Sequence, residues 1–301
     1  MRFATIIIDG EPRLHVRGRT GYVDVARGTG EAGHRRLRTF LEAGPAAMEA
    51  ARDLSRLDGA EVEAWDFEPV VMAPEKILCL GLNYGEHARE GGRDAASWPD
   101  IFTRSPQTLL GPYADLPRPA LSEQFDYEGE LGVVIGAGGR YIPADKALDA
   151  VAGFTVLNDA SARDWQRAAS QWTAGKNFDG TMPIGPEIVT PDEVDITDLE
   201  LITRLNGQVM QRARTSQMIV DVPSAIEFCS SFTTLRPGDV IATGTPAGVG
   251  FARTPPVWLK PGDVIEVEIE GVGTIRNRVV AEDADRSGWR WRPGSPARSG
   301  L

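Results

Sequence analysis

At 301 residues, with 42% hydrophobic and 25% charged content, the chain is long enough to bury a sizeable core and is not compositionally disordered. Its 43 acidic and 32 basic residues give a net charge of -11. That balance argues against a nucleic-acid partner, because phosphate binding needs clustered Lys and Arg, but it leaves room for a small anionic substrate at a site with its own metal or local cations.

The chain opens with short strand patterns around "FATIIID", "RLHVRG" and "GYVDVA". The apolar run Phe3–Ile8 is stopped by Asp9, too early for a signal-peptide core or a membrane span. No later window reaches the roughly 20 apolar residues of a membrane helix, so the expectation is a cytoplasmic protein with no membrane partner. A helical stretch from Arg36 to Leu57 is broken at Gly44-Pro45, where Pro45 suits a first helical turn. Residues 1–70 therefore read as a small N-terminal α+β domain. "FEPVVMAPEK", with its two prolines, reads as the linker into the strand "KILCLGLN". Cys79 there and Cys229 in "AIEFCSSF" sit in apolar contexts with neither metal-ligand nor disulfide spacing, and read as buried thiols.

"GLNYGEHARE" places His87 and Glu90 three residues apart, on one face if the segment is helical. The carboxylate then fixes the imidazole tautomer and makes His87 the best general-base candidate among three histidines. "QFDYEGELGVVIG" carries Asp126, Glu128 and Glu130 at every second position. On pattern alone this is a solvated strand face, the reading that suits Glu266, Glu268 and Glu270 of "VIEVEIEG". The apolar continuation "LGVVIG" favours a second reading, in which the strand runs inward and its acids meet at a cleft. Clustered carboxylates there need a cation, and oxygen-only ligands suit Mg²⁺ or Mn²⁺. Asp159 of "LNDASARDWQ" is a candidate third ligand, although Asn158-Asp159 also reads as a strand-ending turn with Ser161 as helix N-cap. Arg163, Gln166 and Lys176 follow, a set that suits a carboxylate substrate beside a metal.

Farther on, "PGD" occurs at Pro237–Asp239 and Pro261–Asp263, each time before an alternating strand pattern, and Ser224 or Asp221 can cap a helix over "SAIEFCSSF". Residues 284–301 lose periodicity and read as a flexible tail.

Taken in order, "GLNYGEHARE", "FDYEGELGVVIG", "VAGFTVLNDASARDWQ", "GKNFDGTMPIGP", "LNGQVMQ" and "TLRPGDVIATGTPAGVG" resemble the motif series of the fumarylacetoacetate hydrolase family over about residues 74–280. The resemblance implies an α+β fold with a mixed β-roll catalytic domain over residues 74–282, a homodimer, and Mg²⁺ or Mn²⁺ held by Glu128, Glu130 and Asp159, with Asp126 outside the ligand set. By the same transfer His87 and Glu90 form a catalytic dyad on a lid, with Lys176 as a third catalytic residue. Arg163, Gln166, Thr245, Arg104 and Tyr84 contact substrate. Arg104 stands where relatives often have Lys, in a position that bears on the substrate group contacted. The implied substrate is a small 2-oxo acid. The leading expectation is metal-dependent C–C bond hydrolysis of a 2,4-dioxo acid through a pyruvate enolate. Oxaloacetate decarboxylation, an isomerase/decarboxylase or hydratase of aromatic catabolism, and a non-catalytic binding protein are the alternatives.

Overall fold

The computed structural model describes residues 1–92 and 98–283; the segment 284–301, expected to be a flexible tail, lies outside the described residues. The fold is mixed α+β, with parallel and antiparallel pairing in its sheets. A large sheet runs, in spatial order, through Tyr22–Asp24, Glu11–Arg17, Arg2–Ile8, Met182–Val189, Val151–Asn158, Gly129–Ile135, Val240–Ala242, Ile77–Gly81 and Asp100–Arg104. The short strand Leu109–Leu110 pairs with Met182–Val189 from the side. The N-terminal strands thus extend this sheet: Arg2 and Phe3 pair with Val189 and Ile188. A second sheet orders Gln208–Arg214, Glu200–Leu205, Val264–Ile269, Gly273–Ala281 and Leu116–Arg118.

The central strand Gly129–Ile135 is buried at every position because the large sheet is covered on both faces. On one face Val134, Leu157, Ile77 and Cys79 pack with Phe3, Phe40, Ala47 and Ala51 from the N-terminal region. That region contributes the helices Val25–Thr29, Leu37–Glu42 and Pro45–Leu54, and Pro45 occupies the first turn of the last, where its missing N–H costs nothing. On the other face Leu131, Val133 and Ile135 meet Ile226 and Cys229 of the helix Val222–Phe232 and Leu201, Val267 and Ile269 of the second sheet. Asp221 caps that helix by accepting from the Ser224 amide. Burial alone raises the Cys229 thiol to about 12, so this cysteine packs as a small hydrophobe.

Two expectations are corrected. "FDYEGELGVVIG" is not one strand: Phe125–Asp126 pairs with Ser161–Ala162 as a separate ribbon, and the main ladder resumes at Gly129. Ser161 lies in that ribbon, its hydroxyl donating to the Asp159 carbonyl, and Ala162 holds the N-cap position of the helix Arg163–Gln166.

The two "PGD" turns share a chemistry and differ in burial. Asp239 is fully buried, accepts from the amides of Lys76 (3.0 Å) and Arg236 (2.8 Å), and pairs with Lys76 Nζ at 2.8 Å. Asp263 accepts from the Lys260 amide at 2.8 Å and from Asn206 Nδ2 at 2.9 Å, near the surface. Each buried donor left unpaired costs about 1–3 kcal/mol, so Asp239→Ala should destabilise by at least about 2 kcal/mol. Asp263→Ala should cost about 1 kcal/mol or less. Urea unfolding of the two variants measures the contrast, and equal losses would contradict it.

Candidate active site

The interruption that splits the opening strand builds the site. Both strands of the central hairpin break at the same level: the Asp159 amide donates to the Glu128 carbonyl at 2.8 Å, and the Glu128 amide donates to Asn158 Oδ1 at 2.9 Å. Below the break Glu130 pairs in register with Leu157. Glu128, Glu130 and Asp159 therefore converge, each offering a carboxylate oxygen within 4.8 Å of the others, and all three are buried. They line a cavity of about 430 Å³ together with His87, Phe102, Arg163, Gln166, Arg167, Trp172, Lys176, Thr245 and Phe251.

Cations offset this buried charge unevenly. Lys176, itself 1% exposed, donates to Glu128 Oε2 and Asp159 Oδ2, both at 2.6 Å. Arg163 Nη2 pairs with Glu128 Oε1 at 2.6 Å, while its Nε donates to Asp126 Oδ2 at 2.9 Å and its Nη1 to Gln166 Oε1 at 2.9 Å. Burial by itself would raise the Glu128 carboxyl, but Lys176, Arg163 and His87 hold it down at about 2. Burial would likewise lower the Lys176 ammonium, and Asp159 and Glu128 instead raise it. Glu130 has no ion pair among the described residues; it accepts from the Gly244 amide at 2.8 Å. Burial, then Asp159 and Glu128, push its carboxyl well above the ordinary range. An all-oxygen donor set in which one carboxyl has no cationic partner among the described residues fits a hard divalent cation such as Mg²⁺ or Mn²⁺, whose charge would favour the ionised form of Glu130.

His87 sits on the helix Gly85–Glu90, and its Nδ1 lies 2.7 Å from Glu90 Oε1. With Nδ1 donating to that carboxylate, Nε2 is the basic nitrogen. The other oxygen of Glu90 accepts from the Gly248 amide at 2.9 Å, which ties this helix to the loop over residues 244–249. Gly244 in that loop takes φ +93°, and a Cβ there would lie 2.8 Å from Asn83 Cβ. Only glycine presents its amide to Glu130 in this way. Gly175 matters for close approach instead. A Cβ on it would lie 2.3 Å from the Gln166 amide nitrogen, so its absence lets the turn Thr173–Lys176 close on Arg163–Gln166 and bring Lys176 to the carboxylates.

Not every candidate reaches the cavity. Arg104 does not line it; fully buried, it donates to Asp159 Oδ1, to the Ala160 carbonyl at 3.1 Å and to Thr181 Oγ1 at 2.6 Å. Its planar fork is used on protein oxygens, orienting Asp159 from behind. Tyr84 is also buried away from the cavity lining. Burial, with Glu130 nearby, raises its phenol. Thr245 lines the cavity and donates its hydroxyl to the Gly129 carbonyl at 3.0 Å. Asp126 is held by Arg163 and by the amides of Tyr127, Gly250 and Phe251, outside the carboxylate cluster.

Gln211 was missed at the sequence level as a site residue, although it ends the "LNGQVMQ" segment. It is 1% exposed, accepts from the Gly129 amide at 3.0 Å, and donates to Thr245 Oγ1 and the Pro246 carbonyl, both at 2.8 Å. One amide thus braces the strand that carries Glu130 against the loop that holds it.

A buried carboxylate triad beside a tautomer-fixed histidine, set in a mixed-sheet α+β fold, defines an enzyme-type site. Residues 76–280 match the profile of the fumarylacetoacetate (FAA) hydrolase C-terminal family, and the chain belongs to that family. It is 45% identical over 249 residues to the mitochondrial oxaloacetate tautomerase FAHD2A of Bos taurus, covering 80% of this chain and 78% of the relative. Among solved structures, the fumarylacetoacetate hydrolase of Exiguobacterium antarcticum superimposes with a TM-score of 0.82 at 36% identity, over 94% of this chain and all of the other. The 5-carboxymethyl-2-hydroxymuconate delta-isomerase of Mycobacterium smegmatis does so with a TM-score of 0.73 at 32% identity and the same coverage. No helix among the described residues is long and apolar enough to cross a membrane.

Replacing Gln211 by Ala leaves the Gly129 amide without its acceptor and Thr245 without a donor. It should cost about 2–3 kcal/mol of stability. Mg²⁺ affinity should fall roughly tenfold, as for groups that orient metal ligands. Thermal unfolding and calorimetric Mg²⁺ titration check both, and unchanged metal affinity would show that the brace does not act on the triad.

Proposed function

We propose that the chain is a divalent-metal-dependent enzyme that interconverts the keto and enol forms of a small 2-oxo acid of the oxaloacetate type, acting as a homodimer. The observation that carries this reading is the 2.7 Å His87–Glu90 contact in a dyad that opens on the same cavity as the three carboxylates and Lys176. A base thus faces a centre built to stabilise negative charge. The name of the 45% identical relative, an oxaloacetate tautomerase, supports the same chemistry.

Glu128, Glu130 and Asp159 would hold the cation, which supplies Lewis-acid polarisation of the 2-oxo group. His87 Nε2 removes a proton from carbon 3; the C–H electron pair becomes the carbon 2–carbon 3 double bond, and the carbonyl pair moves onto oxygen. The Lys176 ammonium and the Arg163 guanidinium neutralise that oxygen, and the proton carried by His87 returns to it to complete the enol. Glu90 keeps the imidazole in one tautomer and stabilises the imidazolium between the two transfers. Phe251, ring to ring with His87 at 6.4 Å, covers the dyad on its apolar side.

Hydrolysis of a 2,4-dioxo acid is the second reading. A cavity of about 430 Å³ has room for an acid longer than four carbons, and the same dyad suits activation of a water.

With Mg²⁺ or Mn²⁺ the protein should accelerate decay of the enol absorbance of oxaloacetate, and EDTA should abolish that acceleration until metal is restored. His87→Ala should lower the rate by roughly 10²–10⁴ with calorimetric Mg²⁺ binding intact. Wild-type rates in His87→Ala would remove the histidine from the chemistry. Pyruvate release from acetylpyruvate or fumarylpyruvate, without effect on the oxaloacetate enol, would instead select hydrolysis.

A further inference from the structure

Among the described residues that line the cavity, Arg167 is the cation that no carboxylate pairs with. Arg163 is paired with Asp126 and Glu128, and Lys176 with Glu128 and Asp159. Arg167, on the turn that follows the helix Arg163–Gln166, also lines the cavity but is exposed, and its guanidinium makes no ion pair with a described residue. It stacks on the Phe251 ring, 4.2 Å from guanidinium carbon to centroid, and Arg163 stands 4.7 Å from the same centroid. Two guanidinium groups on one aromatic ring repel each other. Partial burial, then the like charge of Arg163, hold Arg167 below its ordinary value against the weaker pull of Asp126. An anion beside Arg167 relieves both costs, and the Phe251 ring presents the guanidinium fork already ordered.

We propose that Arg167 binds the distal carboxylate of a 2-oxo dicarboxylic acid whose 2-oxo end lies at Glu128, Glu130 and Asp159. The assignment rests on the 2-oxo acid reading above and adds to it the charge of the far end of the substrate. Trp172, Phe102 and Leu80 line the same cavity and supply apolar wall for the carbons between the two ends. A substrate with an uncharged distal end gains nothing from Arg167, so the residue selects diacids over monoacids.

The test compares two stable acids of equal chain length, 2-oxoglutarate and 2-oxopentanoate, which differ in the distal carboxylate. Binding to the Mg²⁺-loaded protein is measured by calorimetry. Wild type should bind 2-oxoglutarate roughly tenfold more tightly, as one charge-assisted bidentate contact allows. Arg167→Ala should erase that ratio by weakening the diacid alone, and Arg167→Lys should restore part of it. In kinetics with oxaloacetate, Arg167→Ala should raise KM by about the same factor and leave kcat within roughly twofold. A wild type without the preference, or an Arg167→Ala protein that keeps it, overturns the proposal. If the preference and its loss are seen but oxaloacetate is not turned over, the distal-anion site stands and the tautomerase reading falls.

Discussion

The structure is organised around the burial of negative charge. Three carboxylates within 4.8 Å of one another, in the interior of a sheet covered on both faces, are unfavourable unless cations compensate them. Much of the surrounding architecture does this. Lys176 reaches Glu128 and Asp159 because Gly175 allows one short helix to press on another. Arg163 divides its guanidinium between Glu128 and Asp126, and Arg104 holds Asp159 from the far side. The compensation stops short at Glu130, which has no ion pair among the described residues and accepts instead from the Gly244 amide, so the cluster is not a closed salt-bridge network and could hold a cation.

The same constraint explains the local distortions of the backbone. A regular hairpin would point Glu128 and Asp159 according to strict alternation; breaking both strands at one level aims them together. The loop over residues 244–249 closes the far side, giving the Gly244 amide to Glu130 and the Gly248 amide to Glu90. Carboxylate cluster and histidine dyad are therefore coupled through one stretch of main chain, with Gln211 fixing that stretch to the strand of Glu130. Displacing the loop would disturb the carboxylate cluster and the histidine dyad together.

Much of this was legible in residue order. The His87-to-Glu90 spacing predicted a helical pair, and the helix Gly85–Glu90 carries it. Alternation in "VIEVEIEG" predicted a strand with one buried face, and Ile265, Val267 and Ile269 are each 1% exposed. The helix break at Gly44-Pro45 and the cap at Asp221 follow from local backbone chemistry, which neighbours in sequence carry. Motif order placed the chain in its family, and the three acids that cluster in the interior, Glu128, Glu130 and Asp159, all stand in those motifs. Arg104 and Tyr84 were expected to contact substrate but lie outside the cavity lining, because side-chain direction depends on packing partners that a motif does not name.

The roles of identical residue types were settled by long-range contacts. Asp126 and Glu128 are two residues apart and equivalent in pattern, yet the first is bound by Arg163 and three backbone amides while the second joins the carboxylate cluster. Asp239 and Asp263 end identical tripeptides and differ in burial because one turn abuts Lys76 and the other faces solvent. Short-range order is written in φ/ψ preference, capping and periodicity, all set within a few residues. Which carboxylate meets a cationic side chain, and which arginine lacks a carboxylate partner among the described residues, depends on groups tens to more than a hundred positions away, brought together only by the register of the folded sheet.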